Sequence, residues 1–287
     1  MAALRKQRIS YMTSDRIQRL AIHLVLIIGS LTFLLPLIWV ISTSLKEPGD
    51  VYQFPPQFIP DPVQWQNYPD AMGSLPFDRF FINTITIALF RLVGLLITCS
   101  MAGFAFARLR WRGRRILFLV VLVTLMIPAE VTIIPEYVIF SRLGWVGTYA
   151  PLIVPAFFAT NAFFVFLFRQ FFMSISQDII DAARIDGCSF WQLYWRIIVP
   201  MSRPVFLVVT IYVIQNNWNA YLQPLIYIID REQYTLALGL RLFNEQYFSQ
   251  FHLLMAATVV VTLPILILYF VMQRYFVRGV VFTGVKG

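Results

Sequence analysis

Charge is scarce in this chain. Only 13% of its 287 residues are Asp, Glu, Lys or Arg, about half the ~25% of an average soluble domain. Cysteine and histidine occur twice each, and lysine three times, at Lys6, Lys46 and Lys286. Two cysteines cannot staple so long a chain. Cys99 lies in an apolar run and Cys188 does not, so neither reads as a disulfide partner or metal ligand. His23 and His252 sit near opposite ends, and no H-E-x-x-H zinc signature exists. No lysine follows a glycine, which excludes a phosphate-cradling G-x-x-x-x-G-K-[ST] loop. Glu130 and Glu136 are six residues apart, on different faces of a helix, so they imply no catalytic carboxylate pair. The sequence therefore offers no catalytic cluster, no metal site and no cofactor bound by this chain. A solute moved uphill would draw its energy from an ion gradient or from another subunit.

Apolar residues are abundant instead. Hydrophobic residues make up 59% and aromatics 16%, with 27 Phe, and the mean hydropathy is +0.71. This excludes a soluble globular domain, a disordered chain and a secreted disulfide scaffold. A spanning helix needs ~20 mostly apolar residues. Six runs qualify: Leu20–Ser42, Phe80–Ala107, Ile116–Ile139, Tyr149–Phe172, Pro204–Ile229 and Leu253–Val277. The first is too long for a signal peptide and reads as an uncleaved anchor. Continuous rather than alternating runs exclude a membrane barrel. The fold class expected is an all-α membrane protein with six transmembrane helices.

Basic residues orient the spans. Of the 23 Lys and Arg, 17 fall on one side, 5 on the other, and Arg91 lies inside the second span. Both termini are thus expected in the cytoplasm. The net charge of +9 is a topology signal rather than a nucleic-acid footprint. The expected organisation is a cytoplasmic tail (1–19), a first span (20–42) and an external loop (43–79). A five-helix core (80–277) and a C-terminal tail (278–287) follow. The Pro- and aromatic-rich external loop reads as a small ordered cap or an extended linker.

Ionisable residues inside spans are functional candidates by default. Arg91 lies 17 residues before Arg108, and Glu130 lies 15 after Arg115. At 1.5 Å per residue their depths match, which predicts an Arg91–Glu130 pair between the second and third spans, as a static ion pair or a gating element.

The cytoplasmic stretch 177–204 reads QDIIDAARIDGCSFWQLYWRIIVPMSRP. It predicts two short helices. Gly187 ends the first, which presents Ala182 and Ala183 as a small surface. Ser189 caps the second, in which Phe190, Leu193, Tyr194, Ile197 and Ile198 recur at helical spacing. Pro200 and Pro204 stop it. Physics alone allows docking in a partner's cleft or rest on lipid. The fifth span carries Gln215, Asn216, Asn217, Trp218, Asn219, Tyr221 and Gln223. Amides and aromatics together suit sugar hydroxyls and ring faces, and they equally suit hydrogen bonds between helices. The substrate-pathway candidates are Gln215, Asn216, Trp218, Asn219 and Tyr221. Pro128, Pro135 and Pro224 are expected to kink or break their helices.

The 177–204 string resembles the EAA loop of ABC importer permeases, E-A-A-x-x-x-G followed by a spaced Phe, Ile and Pro series. Asp181, Ala182, Ala183, Asp186, Gly187, Tyr194, Ile197, Pro200 and Pro204 fall on matching positions. Asp181 replaces the usual Glu, Cys188 a usual Ala, and Tyr194 the usual Phe. Asn83-Thr84, GFAFARLRWRGR, MIPAEVTIIP, LGWVGTYAPLIVP, WNAYLQPLI and FVRGVVFTGVKG also resemble the second permease subunit of carbohydrate importers of the maltose and glycerol-phosphate group. The resemblance implies the type I ABC importer permease fold in a bacterial or archaeal cytoplasmic (inner) membrane. It also implies a second, different permease, two ABC ATPase subunits that bind ATP and magnesium, and an extracytoplasmic sugar-binding protein. Asp181, Ala182, Ala183, Asp186, Gly187, Cys188, Tyr194 and Pro200 would then form the ATPase-coupling element. Gly284, Val285 and Lys286 of the tail would reach between the ATPases. The rival reading is a stand-alone secondary transporter or channel for a small polar solute, and only Arg91, Glu130 and Glu136 could couple ions within its spans.

Overall fold

The structure, a computed structural model, describes residues 2–246 and 250–281, with side chains over 18–246 and 250–273. It is helical throughout, with no strand among the described residues. In chain order the helices are α1 (Ala2–Ser44), α2 (Asn67–Ser74), α3 (Phe77–Arg108), α4 (Arg114–Thr124), α5 (Ala129–Arg142), α6 (Ala150–Ile153) and α7 (Ala162–Ser174). Then come α8 (Gln177–Ile185), α9 (Phe190–Gln192), α10 (Val199–Met201), α11 (Arg203–Trp218), α12 (Leu222–Tyr227), α13 (Leu236–Gln246) and α14 (Phe251–Val281). Among the described residues four helices are long and apolar enough to cross a membrane: Gln18–Ser44, Phe77–Arg108, Ala150–Ser174 and Phe251–Gln273. Two bent pairs raise the number to six if each counts as one span.

One of these bends and a separate helix break correct two expected spans. The third run is not one rod, because α4 and α5 meet at 99°. Pro128 lies at this corner. It has no N–H to donate and it disfavours helical geometry at Ile127. The fifth run is also cut. α11 stops at Trp218, and a separate short helix, α12, starts at Leu222. Here side-chain amides bond the backbone: Asn217 Nδ2 donates to the Val213 carbonyl at 2.7 Å and Asn219 Nδ2 to the Gln215 carbonyl at 3.0 Å. Pro224 has no N–H to offer the Ala220 carbonyl. By contrast, Pro135 lies inside α5 without ending it. At the start of the chain, α1 is helical from Ala2, through most of the expected tail.

The chain forms two compact units. The first comprises Met1–Met72 and Gln246–Val260. In it the part of the expected external loop up to Met72 is an ordered cap and not an extended linker. Asn67 Nδ2 donates to the carbonyls of Ser44 (3.0 Å) and Lys46 (2.9 Å), and Ser42 Oγ donates to the Phe58 carbonyl at 2.6 Å. Lys46 is 1% exposed, with its ammonium 4.2 Å from the Trp39 ring centre. Burial holds that ammonium below the usual lysine value, and nearby Asp50 opposes the shift.

The second unit, Gly73–Glu245 with Val261–Gly287, is built around α3. Gly103 lets α3 approach α7 closely, since a Cβ there would lie 2.7 Å from Phe168 Cβ. Asn83 Nδ2 donates to the carbonyls of Glu232 (2.8 Å) and Tyr234 (3.0 Å), and Thr84 Oγ1 accepts from the Leu236 N–H at 2.9 Å. These two residues pin the segment leading into α13. One core cluster joins α3, α7 and α11 to the 180–198 stretch through Cys99, Phe104, Phe168, Phe172, Ile180, Tyr194, Ile198 and Val209.

Candidate functional site

Both ends of α8 are set by local chemistry. Ser176 caps its start by accepting from the Asp178 N–H at 3.2 Å. Its end is a Schellman motif, with Gly187 N–H bonding the Arg184 carbonyl (3.0 Å) and Cys188 N–H the Ala183 carbonyl (2.9 Å). Gly187 sits at φ +81°, as the left-handed terminus requires. Ser189 and Gln192 then form a capping box on α9. Both punctuation marks therefore fall where the sequence places them.

α8 has two faces. Asp181, Ala182, Asp186 and Gly187 are exposed, and Ile185 is 86% exposed at the tip. Ile180 and Ala183 are buried in the core. The expectation that Ala182 and Ala183 form one small surface is thus corrected: at consecutive positions they point about 100° apart, so only Ala182 is presented. Asp181 accepts from Gln177 Nε2 at 3.0 Å and pairs with Arg184 at 3.6 Å. Cys188 is half-buried and Pro200 exposed.

Tyr194 requires a second correction. It is 2% exposed, its hydroxyl lies 2.6 Å from Ser100 Oγ, and its ring is 5.2 Å from Phe104. It ties the loop to α3 and cannot touch a partner through its surface. It lies in a π-helical turn, Leu193–Ile198, whose widened step closes with the Val199 N–H on the Tyr194 carbonyl. Pro200 leaves the Arg196 carbonyl without its helical donor, and a widened turn accommodates that. Arg108 completes the mount. Its guanidinium donates to the carbonyls of Phe172 and Ile175 at the end of α7 and to Gln177 Oε1 at 2.9 Å on α8. From the sequence, Arg108 reads as a topology charge that marks the end of its span, with no sign of this clamp.

The pathway candidates split as well. Gln215, Asn216 and Asn219 are exposed. Trp218 is 8% exposed, donates Nε1–H to the Val261 carbonyl at 3.1 Å and packs edge-on to Phe81. It is a packing residue, contrary to its expected place on the pathway. Tyr221 is half-buried beneath the Arg241 guanidinium, 5.3 Å from its ring centre.

The expected Arg91–Glu130 pair does not form. Arg91 Nη1 instead donates to Asn217 Oδ1 at 3.4 Å, and no ion pair among the described residues includes Glu130. Matching depths assumed a straight third span, whereas the corner at Pro128 sends Glu130 off the line of α4. Asn217, a residue absent from the pathway candidates, holds the guanidinium. Gly284, Val285 and Lys286 lie outside the described residues.

The chain is similar to known transport proteins over most of its length. The chain is 32% identical over 275 residues to the arabinooligosaccharides transport system permease protein AraQ of Bacillus subtilis (strain 168), covering 94% of this chain and 97% of that one. It is 31% identical to the sn-glycerol-3-phosphate transport system permease protein UgpE of Yersinia pestis, covering 90% and 94%. It superposes with a TM-score of 0.81 and 27% identity on a chain of a bacterial ABC transporter involved in the import of the acidic polysaccharide alginate, covering 92% of this chain and 98% of that one. These relatives are transport proteins and not enzymes. The family model for the inner membrane component of binding-protein-dependent transport systems matches residues 94–282. With its apolar helices, multi-pass architecture and permease relatives, this chain belongs to that family of membrane transport components.

Proposed function

We propose that the chain is the second permease subunit of an ATP-driven importer for a sugar or sugar derivative delivered by an external binding protein. Two ATPase subunits bind ATP and magnesium, and a different permease completes the pathway in the cytoplasmic membrane. Both termini and α8 lie on the cytoplasmic side, where the excess of arginine favours them.

The observation that carries this reading is the division of α8. Its outer face offers Asp181, Ala182, Ile185 and Gly187 with fixed helix ends, while its inner face packs into the core through Ile180 and Ala183, Arg108 of α3 bonds its first residue, and Tyr194 fastens the turn that follows to α3. Such an element passes force between a docked partner and the bundle. When ATP draws the ATPase subunits together, α8 moves with them. Because α3 and α7 are tied to it, the permeases switch from facing inward to facing outward. Sugar then enters between the permeases near Gln215, Asn216 and Asn219, and hydrolysis resets the assembly. ATP thus acts on the sugar path through two states that differ in their contacts.

Asp181→Lys reverses a charge on the exposed face and leaves the core untouched. ATP-driven uptake in proteoliposomes should fall steeply, with the thermal stability of the permease unchanged. Full uptake by Asp181→Lys, or uptake by the purified chain without an ATPase, would favour the stand-alone transporter.

A further inference from the structure

The connection from α3 to α4 carries five arginines in eight residues, from Arg108 to Arg115. Arg108 is engaged by α7 and α8. Arg114 donates Nη1–H to the Leu109 carbonyl at 2.8 Å, folding the loop back around Gly113 at φ +84°. The result is an open depression of about 460 Å³ lined by Arg110, Trp111, Gly113, Arg114, Arg115 and Ile116.

Its charge is uncompensated. Among the described residues none of these lining arginines forms an ion pair, and neither does Arg112 beside them. Outside the lining, Arg169 of α7 lies within electrostatic reach of Arg114, its guanidinium 4.1 Å above the Phe118 ring and its Nε buried and unpartnered. So dense a set of like charges is self-repelling and calls for an anion. Guanidinium groups match phosphate oxygens with paired N–H donors.

The surroundings say what kind of anion. From the depression α4 leads off with a bare apolar flank, including Leu117, Leu119, Val120 and Val123, all more than half exposed. Trp111 stands at the rim, 38% exposed and packed on Phe106. Tryptophan favours the headgroup level of a bilayer. A free phosphate would satisfy only the arginines, whereas a phospholipid satisfies the arginines, the indole and the apolar flank together. Basic pockets beside membrane helices suit anionic headgroups.

We propose that the α3–α4 depression binds the phosphate headgroup of an anionic membrane lipid, whose acyl chains lie along α4. The site is separate from α8 and from the amides of α11. Bound lipid would brace the corner between α3 and α4.

Native mass spectrometry of the assembled, detergent-purified transporter tests this. The complex is offered equimolar phosphatidylglycerol and phosphatidylcholine, with and without millimolar inorganic phosphate. Phosphatidylglycerol should be retained preferentially, and inorganic phosphate should not displace it. The double substitution R110Q/R115Q should weaken retention roughly twenty- to thirtyfold, the combined effect of two basic residues at an anionic surface. R110K/R115K should keep most of it. Equal retention of the two lipids, displacement by inorganic phosphate, or undiminished phosphatidylglycerol on R110Q/R115Q would each overturn the proposal. Should R110Q/R115Q fail to assemble, the preference of the unaltered complex and the retention by R110K/R115K still decide the question.

Discussion

Replacing Tyr194 with alanine removes a ring that is 2% exposed, packed 5.2 Å from Phe104 and 4.9 Å from Trp195, together with a hydroxyl 2.6 Å from Ser100 Oγ. Truncating a buried aromatic to alanine costs about 3–5 kcal/mol through lost transfer energy and the cavity left behind. Replacing it with phenylalanine keeps the ring and removes one hydrogen bond, a loss of about 0.5–1.5 kcal/mol. Ser100 Oγ would keep bonds to the carbonyls of Leu96 and Ile97. The two substitutions therefore separate anchoring from docking. If Tyr194 anchors the loop, Tyr194→Ala lowers the thermal midpoint of the purified permease markedly and Tyr194→Phe barely moves it. Capture of the ATPase subunits should then fall only as the folded fraction falls. Thermal unfolding followed by intrinsic fluorescence, with co-purification of the ATPase as the second readout, measures both. An unchanged midpoint for Tyr194→Ala, with the ATPase lost, would refute the reasoning and return Tyr194 to the docking surface.

Arg91→Gln and Asn217→Ala should show coupled effects on uptake, whereas Arg91→Gln and Glu130→Gln should act independently in a double-mutant cycle, within about 0.5 kcal/mol of additivity. Strong coupling between Arg91 and Glu130 would restore the ion pair. Lys46 gives a pH dependence. Its folded value is lowered by burial, so the unfolded chain binds more protons between the folded value and the ordinary lysine value of 10.5. Its stability deficit is full below the folded value and is relieved as pH rises through that window. Lys46→Met should therefore raise the thermal midpoint at neutral pH, and the gap to the unaltered protein should narrow as pH climbs. A gap that widens in alkali would contradict the sign.

Much of the site was legible because it depends on local chemistry. Gly187 and Ser189 mark helix boundaries whatever surrounds them, and the structure puts a Schellman motif and a capping box there. The apolar runs gave the helices for the same reason. What escaped the sequence was orientation. Periodicity shows that Leu193, Tyr194 and Ile198 share a face, but only packing against Ser100 and Phe104 turns that face inward. Ala182 and Ala183 look equivalent in a motif and end on opposite sides of the exposure boundary. In the amide run of α11, Asn217 and Trp218 point into the bundle while Gln215, Asn216 and Asn219 point out, and composition alone cannot rank them. The Arg91–Glu130 pairing failed on a straight-helix assumption that Pro128 breaks. Arg108 was hidden because a basic residue at a helix end is expected on topological grounds, so its clamp on α7 and α8 left no distinct signal.

The division of α8 into a docking face and an anchored face can be read by cysteine cross-linking. In a Cys188→Ala background, Ile185→Cys places a thiol where the side chain is 86% exposed, and Ala183→Cys places one where it is 5% exposed. A short bifunctional reagent applied to the intact transporter should join position 185, and not position 183, to a co-purifying ATPase subunit, with a yield that changes when ATP is added. Labelling of Ile185→Cys by a membrane-impermeant reagent from outside the cell, with no cross-link to an ATPase, would contradict the account.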